Sequence, residues 1–146
     1  MLSQCAKELL HLLKQVEAPK ELSVVVMPDF FLDRLVTYEG DVEHLSKSLM
    51  EVARRKGGSI HGIRQEELRG GNAVNTAAAL AALGAKVYPI ISTSPFGLHL
   101  LKFYLDHLGV DLSHIKTYGM MAITTAFEMT YQDEKVNVMM SDLGSL

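Results

Sequence analysis

The sequence predicts an α/β domain carrying a smaller antiparallel sheet, and three observations lead there. Strand-like and helix-like stretches alternate from Leu22 to Leu108. A helix of small residues, Asn72–Leu83, follows a Gly-Gly pair. Two alternating stretches, Ile123–Tyr131 and Val136–Met140, read as a β-hairpin. Composition agrees. The 146 residues are 48% hydrophobic and 21% charged, close to the globular average, which excludes a disordered, collagenous or coiled-coil chain. That length suits one domain or part of one.

The elements follow in order. Leu9, Leu10, Leu12, Leu13 and Val16 give Met1–Glu17 the apolar stripe of an amphipathic helix, ended by Pro19. Leu22–Met27 is a short β-branched run bounded by Pro28, the pattern of a buried parallel strand. Phe31–Thr37 is a second extended piece. Asp41 is placed to cap a helix running to about Lys56, with Val42, Leu45, Leu49 and Val52 along one face, and Gly57-Gly58 stops it. Ser59–Leu68 reads as an irregular strand and Gly70-Gly71 as a turn. Asn72–Leu83 is closed by Gly84. Lys86–Ser92 is a strand in which Pro89 argues against a central position. Ser94-Pro95 opens a helix to His107 or Leu108. Gln132–Lys135 connects the two strands of the hairpin, and Asp29 reads as a turn residue.

Several function classes fall away. A net charge of −3 offers no clustered positive surface for nucleic acid. No apolar run approaches the ~18 residues of a membrane span. The single cysteine, Cys5, excludes a disulfide framework and fits a reduced, cytoplasmic compartment. The six histidines never come closer than seven residues, so no helix-borne zinc pair exists and no metal site is expected. The Met-Pro-Asp-Phe-Phe after the first strand is not a dinucleotide-binding glycine loop, and no Walker lysine loop is present.

What remains is Arg69-Gly70-Gly71-Asn72-Ala73-Val74-Asn75 and the helix behind it. A glycine pair before a helix lets backbone approach a ligand, with N–H groups at the helix start; it also makes an ordinary tight turn. The wider order is more specific. Val24-Val25-Val26, Asp33, Gly70-Gly71, Asn75, Leu83-Gly84, the strand Val87–Ser92, Phe96-Gly97, Leu108–Asp111 and the hairpin from Thr124 to Val138 together resemble the N-terminal signature of the ribokinase-like (PfkB-type) carbohydrate and nucleoside kinases. The resemblance covers Leu22–Leu146 and implies the N-terminal portion of a three-layer fold with a small antiparallel lid sheet. The chain is then a single partial domain over 1–146, with lid segments at about 31–37, 59–68 and 123–140. Two departures stand out: a helix inserted at Asp41–Lys56, and Phe31 where many relatives carry a polar residue.

By that resemblance the chain is the acceptor-binding portion of an ATP-dependent sugar or nucleoside kinase. Asp33 would hold vicinal hydroxyls, Gly70 and Gly71 would offer backbone N–H groups, and Asn75 its amide. Asp33 as a solvated carboxylate and Asn75 as a helix-capping residue are the plainer readings. ATP and Mg²⁺ are implied for the complete enzyme, whose Gly-x-Gly-Asp anion hole, catalytic base and nucleotide pocket are not in this sequence. No catalytic, cofactor-binding or metal residue is therefore expected in this chain, and the chain alone is expected to be inactive. The alternative is a non-catalytic sugar-binding or oligomerisation module. The apolar stripe Ile123, Thr125, Phe127, Met129, Tyr131 suggests a homodimer through the lid hairpin.

Overall fold

The structure is a computed structural model that describes residues 4–15 and 22–145. Helix α1 (Gln4–Gln15) carries the expected leucine stripe but buries none of its side chains. Residues 1–3, 16 and 17 of the predicted helix, and Pro19, lie outside the described residues.

The body is built on parallel pairs. Strand β1 (Ser23–Val26) pairs with β4 (Lys86–Pro89), Val24 opposite Val87 and Val26 opposite Pro89. The predicted strand Lys86–Ser92 divides after Pro89, where β1 ends at its partner Val26. Ile90 N–H still reaches the Val26 carbonyl, at 2.9 Å. The chain then resumes as β5 (Ser92–Thr93), paired with β6 (Lys116–Thr117).

Helix α3 (Asn72–Ala82) turns Ala73, Val74, Ala77 and Ala78 inward. These short side chains let the helix lie close to β1 and β4. It ends as predicted: Gly84 has φ 91°, and Ala85 N–H bonds to the Leu80 carbonyl at 3.1 Å, which closes the last turn. Helix α4 (Pro95–Leu105) starts with Ser94 Oγ accepting from Gly97 N–H at 3.1 Å, with Pro95 in the first turn. A 3₁₀ turn, Asp106–Leu108, ends it. Leu101 and Leu105 from α4 meet Val74 and Ala77 from α3, Val87 from β4, and Phe30 in the core.

The second layer of the molecule is a four-stranded sheet in the order β3-β2-β7-β8. Its strands are β2 (Phe31–Asp41), β3 (Arg64–Gly70), β7 (Ala122–Tyr131) and β8 (Glu134–Asp142). Two antiparallel pairs, β2·β3 and β7·β8, are joined by a parallel pair, β2·β7. The sheet is thus mixed rather than purely antiparallel: β2 and β7 are separated by a long crossover through the body, and such a connection permits parallel pairing. The β2 strand runs four residues past the expected Thr37. Strand β3 begins at Arg64, so 59–63 is not strand, and Gly70 is its last residue rather than part of a turn. The hairpin loop shrinks to Gln132-Asp133, both with positive φ (51° and 63°), the geometry of a two-residue type I′ turn.

Helix α2 (Val42–Arg54) is held at its start by Asp41, which accepts from His44 N–H at 2.6 Å. Its end differs from expectation. The left-handed position belongs to Lys56, φ 61°, and Gly57 N–H bonds to the Val52 carbonyl at 3.1 Å; the glycine comes one residue too late to take the strain. Val42, Leu45 and Leu49 of α2 face Phe127, Met129, Val138 and Met140 across an apolar groove of about 390 Å³. The stripe expected to serve a dimer is partly turned toward the chain's own inserted helix.

Candidate functional site

Alternation along β2 sends Phe31, Asp33 and Leu35 to one face of the sheet. That face forms an open cavity of about 470 Å³ together with Asp29, Leu68, Gly71, Asn72, Thr124, Ala126, Met139, Ser141 and Leu143, within the ordinary range for small-molecule sites. Register orders its floor. Leu68, Asp33, Thr124 and Ser141 are mutual neighbours across the four strands, and Leu35, Ala126 and Met139 make the next row. Three polar residues, Asp33, Thr124 and Ser141, thus lie beside a row that is apolar on β2, β7 and β8 and ends on Glu66 of β3.

Asp33 is half-buried, and no hydrogen bond reaches its carboxylate from the described residues. Burial pushes its pKa above the ordinary carboxylate value, because the charged form loses solvation without gaining a partner. Thr124 Oγ1 and Ser141 Oγ lie 3.1 Å apart and share a hydrogen bond.

The glycine pair makes close approaches within the chain itself. A Cβ on Gly70 would collide with the Asp33 carboxylate. One on Gly71, φ 92°, would lie 2.7 Å from the Asp29 carbonyl oxygen. Asp29 is more than a turn residue. Its two carboxylate oxygens accept from Asn72 N–H at 2.7 Å and Ala73 N–H at 2.9 Å. Gly71 has no side chain to cap α3, and Asp29 caps it from 43 residues away. The helix start is thus occupied by the protein's own anion.

Of the four residues singled out from sequence, Asp33 and Gly71 line the cavity, and Gly70 abuts Asp33. Asn75 stands apart: it is exposed, and its Oδ1 accepts from Arg69 Nε at 3.2 Å. Sequence reasoning missed Asn72, Thr124, Met139 and Ser141. The signal for Thr124 and Ser141 was present in the hairpin alternation, but it needed the register to be read.

No protein-family model and no curated protein matches the sequence. Solved structures do match. A ribokinase from Arabidopsis thaliana, solved with ribose and ATP, is similar with a TM-score of 0.59 and 18% identity, over 85% of this chain and 36% of that one. The fold is ribokinase-like. A Methanocaldococcus jannaschii nucleoside kinase of the ribokinase family gives a TM-score of 0.57 at 15% identity, over 83% of this chain and 37% of its own. A Burkholderia thailandensis nucleoside kinase, solved with inosine, gives 0.55 at 14%, over 84% and 37%. The chain spans little more than a third of the length of these ribokinase-like structures. Among its described residues no helix is long and apolar enough to cross a membrane.

Proposed function

We propose that the cavity is the acceptor site of a sugar or nucleoside kinase, and that this chain is its acceptor-binding portion. One observation carries the reading: Asp33 is a half-buried carboxylate in a cavity of suitable size, with no hydrogen-bond donor among the described residues. A carboxylate accepts from two vicinal hydroxyls more strongly than a neutral side chain does. Donation from a ligand restores what burial removes. Gly70 supports this by leaving space for the carboxylate, and the sheet supports it by walling one side of the cavity. Asn75, bonded to Arg69 away from the cavity lining, has no part in this reading.

In the complete enzyme ATP would supply the phosphoryl group, with Mg²⁺ neutralising its charge. No group of three or more His, Cys, Asp or Glu is arranged to hold a metal ion among the described residues. The chain's own work is to bind, orient and shield the acceptor. A homodimer through the lid draws support from β8, an edge strand whose Val138, Met139 and Met140 remain exposed.

Thermal shift of the purified chain against ribose, fructose, adenosine and inosine tests the reading. A ligand at about 100 times its Kd adds ~2.7 kcal/mol of stability, and Asp33→Asn should abolish that gain. A shift that survives the substitution refutes the assignment. No ATP-dependent phosphorylation is expected from this chain, and turnover above background would refute that part. Sedimentation at ~50 μM, where a micromolar complex is largely formed, checks the dimer; a clean monomer rules it out.

A further inference from the structure

The hydroxyl pair beside Asp33 is the feature that the acceptor reading leaves unused. Thr124 sits opposite Asp33 in the β2·β7 register, and Ser141 sits opposite Thr124 in β7·β8. The two hydroxyls share one hydrogen bond at 3.1 Å. Two hydroxyls carry two protons, so that bond consumes one and leaves one O–H to donate. Asp33, when ionised, only accepts. Donor and acceptor therefore stand side by side on the same floor, on adjacent strands.

Adjacent strands are about 4.7–4.9 Å apart. Side chains on that spacing can meet, as Thr124 and Ser141 do at 3.1 Å, but no hydrogen bond joins Asp33 to Thr124. A ligand hydroxyl seated between the carboxylate and the hydroxyl pair can serve both with ordinary O–H···O bonds of about 2.7–2.8 Å. That oxygen donates to Asp33 and accepts from the pair, using both of its capabilities. A ligand oxygen without a proton, such as an ether or carbonyl, would leave Asp33 unserved. A ligand carbon there would leave both unserved.

We propose that Thr124 and Ser141 are specificity-determining residues of the acceptor site, reading one hydroxyl of a vicinal diol whose protons go to Asp33. This rests on the acceptor reading above and extends it. The ligand chemistry is a ring bearing a cis-diol, a pentose either free or within a nucleoside. The neighbouring row, Leu35, Ala126 and Met139, lies one two-residue step along the strands, about 6.6–6.8 Å away. That is where a base attached to the ring would rest.

Calorimetric titration of the whole chain with ribose, adenosine, 2′-deoxyadenosine and 3′-deoxyadenosine tests it. The variants are Thr124→Val with Ser141→Ala, Asp33→Asn and Met139→Ser. The double variant should bind ribose and adenosine at least tenfold more weakly, with no loss against the one deoxyadenosine that lacks the hydroxyl being read. If the pair merely staples β7 to β8, its removal lowers melting temperature and leaves affinity ratios between probes unchanged; that result overturns the proposal. Loss of binding in Asp33→Asn with unchanged affinity in the double variant also overturns it, while leaving the acceptor site standing. Absence of binding by any probe to the parent overturns both. The Met139→Ser variant distinguishes the source: weaker adenosine with unchanged ribose marks a nucleoside, and equal behaviour marks a free sugar.

Discussion

Replacing Asp29 with Ala should unseat α3 from the cavity rim. The Asn72 and Ala73 N–H groups, bonded to Asp29 at 2.7 and 2.9 Å, would lose their acceptors, and no side chain at Gly71 can substitute. Loss of a capping side chain costs about 1 kcal/mol, with an upper range near 2. Losing a carboxylate at the positive end of the helix dipole adds roughly 0.3–1 kcal/mol. The sum is about 2 kcal/mol. For a chain of this size each kcal/mol moves the melting temperature by roughly 3–4 °C, so a fall of about 6–8 °C is expected. Asp29→Asn keeps one acceptor oxygen and loses the charge, so about half that fall should remain. Urea denaturation gives the free energy, and hydrogen exchange at Asn72–Asn75 shows whether fraying is local. A midpoint for Asp29→Ala within 0.5 kcal/mol of the parent, in line with a neutral surface change, would refute the assignment of the cap.

Three further outcomes follow from the same geometry. Asp33 holds its proton more tightly in the folded chain than in the unfolded one, so its contribution is most favourable below the unfolded value of about 3.9 and is lost as pH rises through the folded value; melting temperature against pH should show that decline in the parent and not in Asp33→Asn. Gly71→Ala should cost more than Gly84→Ala: both glycines have positive φ, but a Cβ at Gly71 also meets the Asp29 carbonyl at 2.7 Å, and equal losses in urea would deny the clash. Lys56→Gly should raise stability by about 1 kcal/mol by relieving the left-handed strain, and a lower midpoint would deny that the strain exists.

Local capping signals act where the sequence places them. Asp41, Ser94-Pro95 and Gly84 each act within a few residues of where they stand, and each forms the predicted cap. The ribokinase-like fold was legible too, because its strand and helix order survives at low identity. What escaped was set by register and distance. Asp29 caps a helix 43 residues on. Thr124, Ser141 and Met139 join Asp33 through pairings among strands that are remote in sequence. Phe127, expected to be open for a partner, shares a groove with Leu45 because the inserted helix folds back on the sheet. Lys56 shows the limit of residue statistics: two glycines follow it, but the helix closes one residue before them.

The way β2 and β7 traverse the molecule constrains how the cavity opens. Leu32 on β2 belongs to the main core, whereas Val36, four residues later, is buried outside it; on β7, Ile123 packs against the main core while Ala126 and Met129 are buried beyond it. Two continuous strands thus bridge two separately packed regions, with no intervening loop to act as a hinge. The outer region, covered on one face by α2, is packed apart from the main core. Any motion that admits a ligand must then be carried by twisting and bending of β2 and β7 along their length, an elastic deformation rather than a swing. Such a cover returns to one rest position when released, and the strand stretch that must flex, between Leu32 and Val36, is the one that carries Asp33 and Leu35 into the cavity.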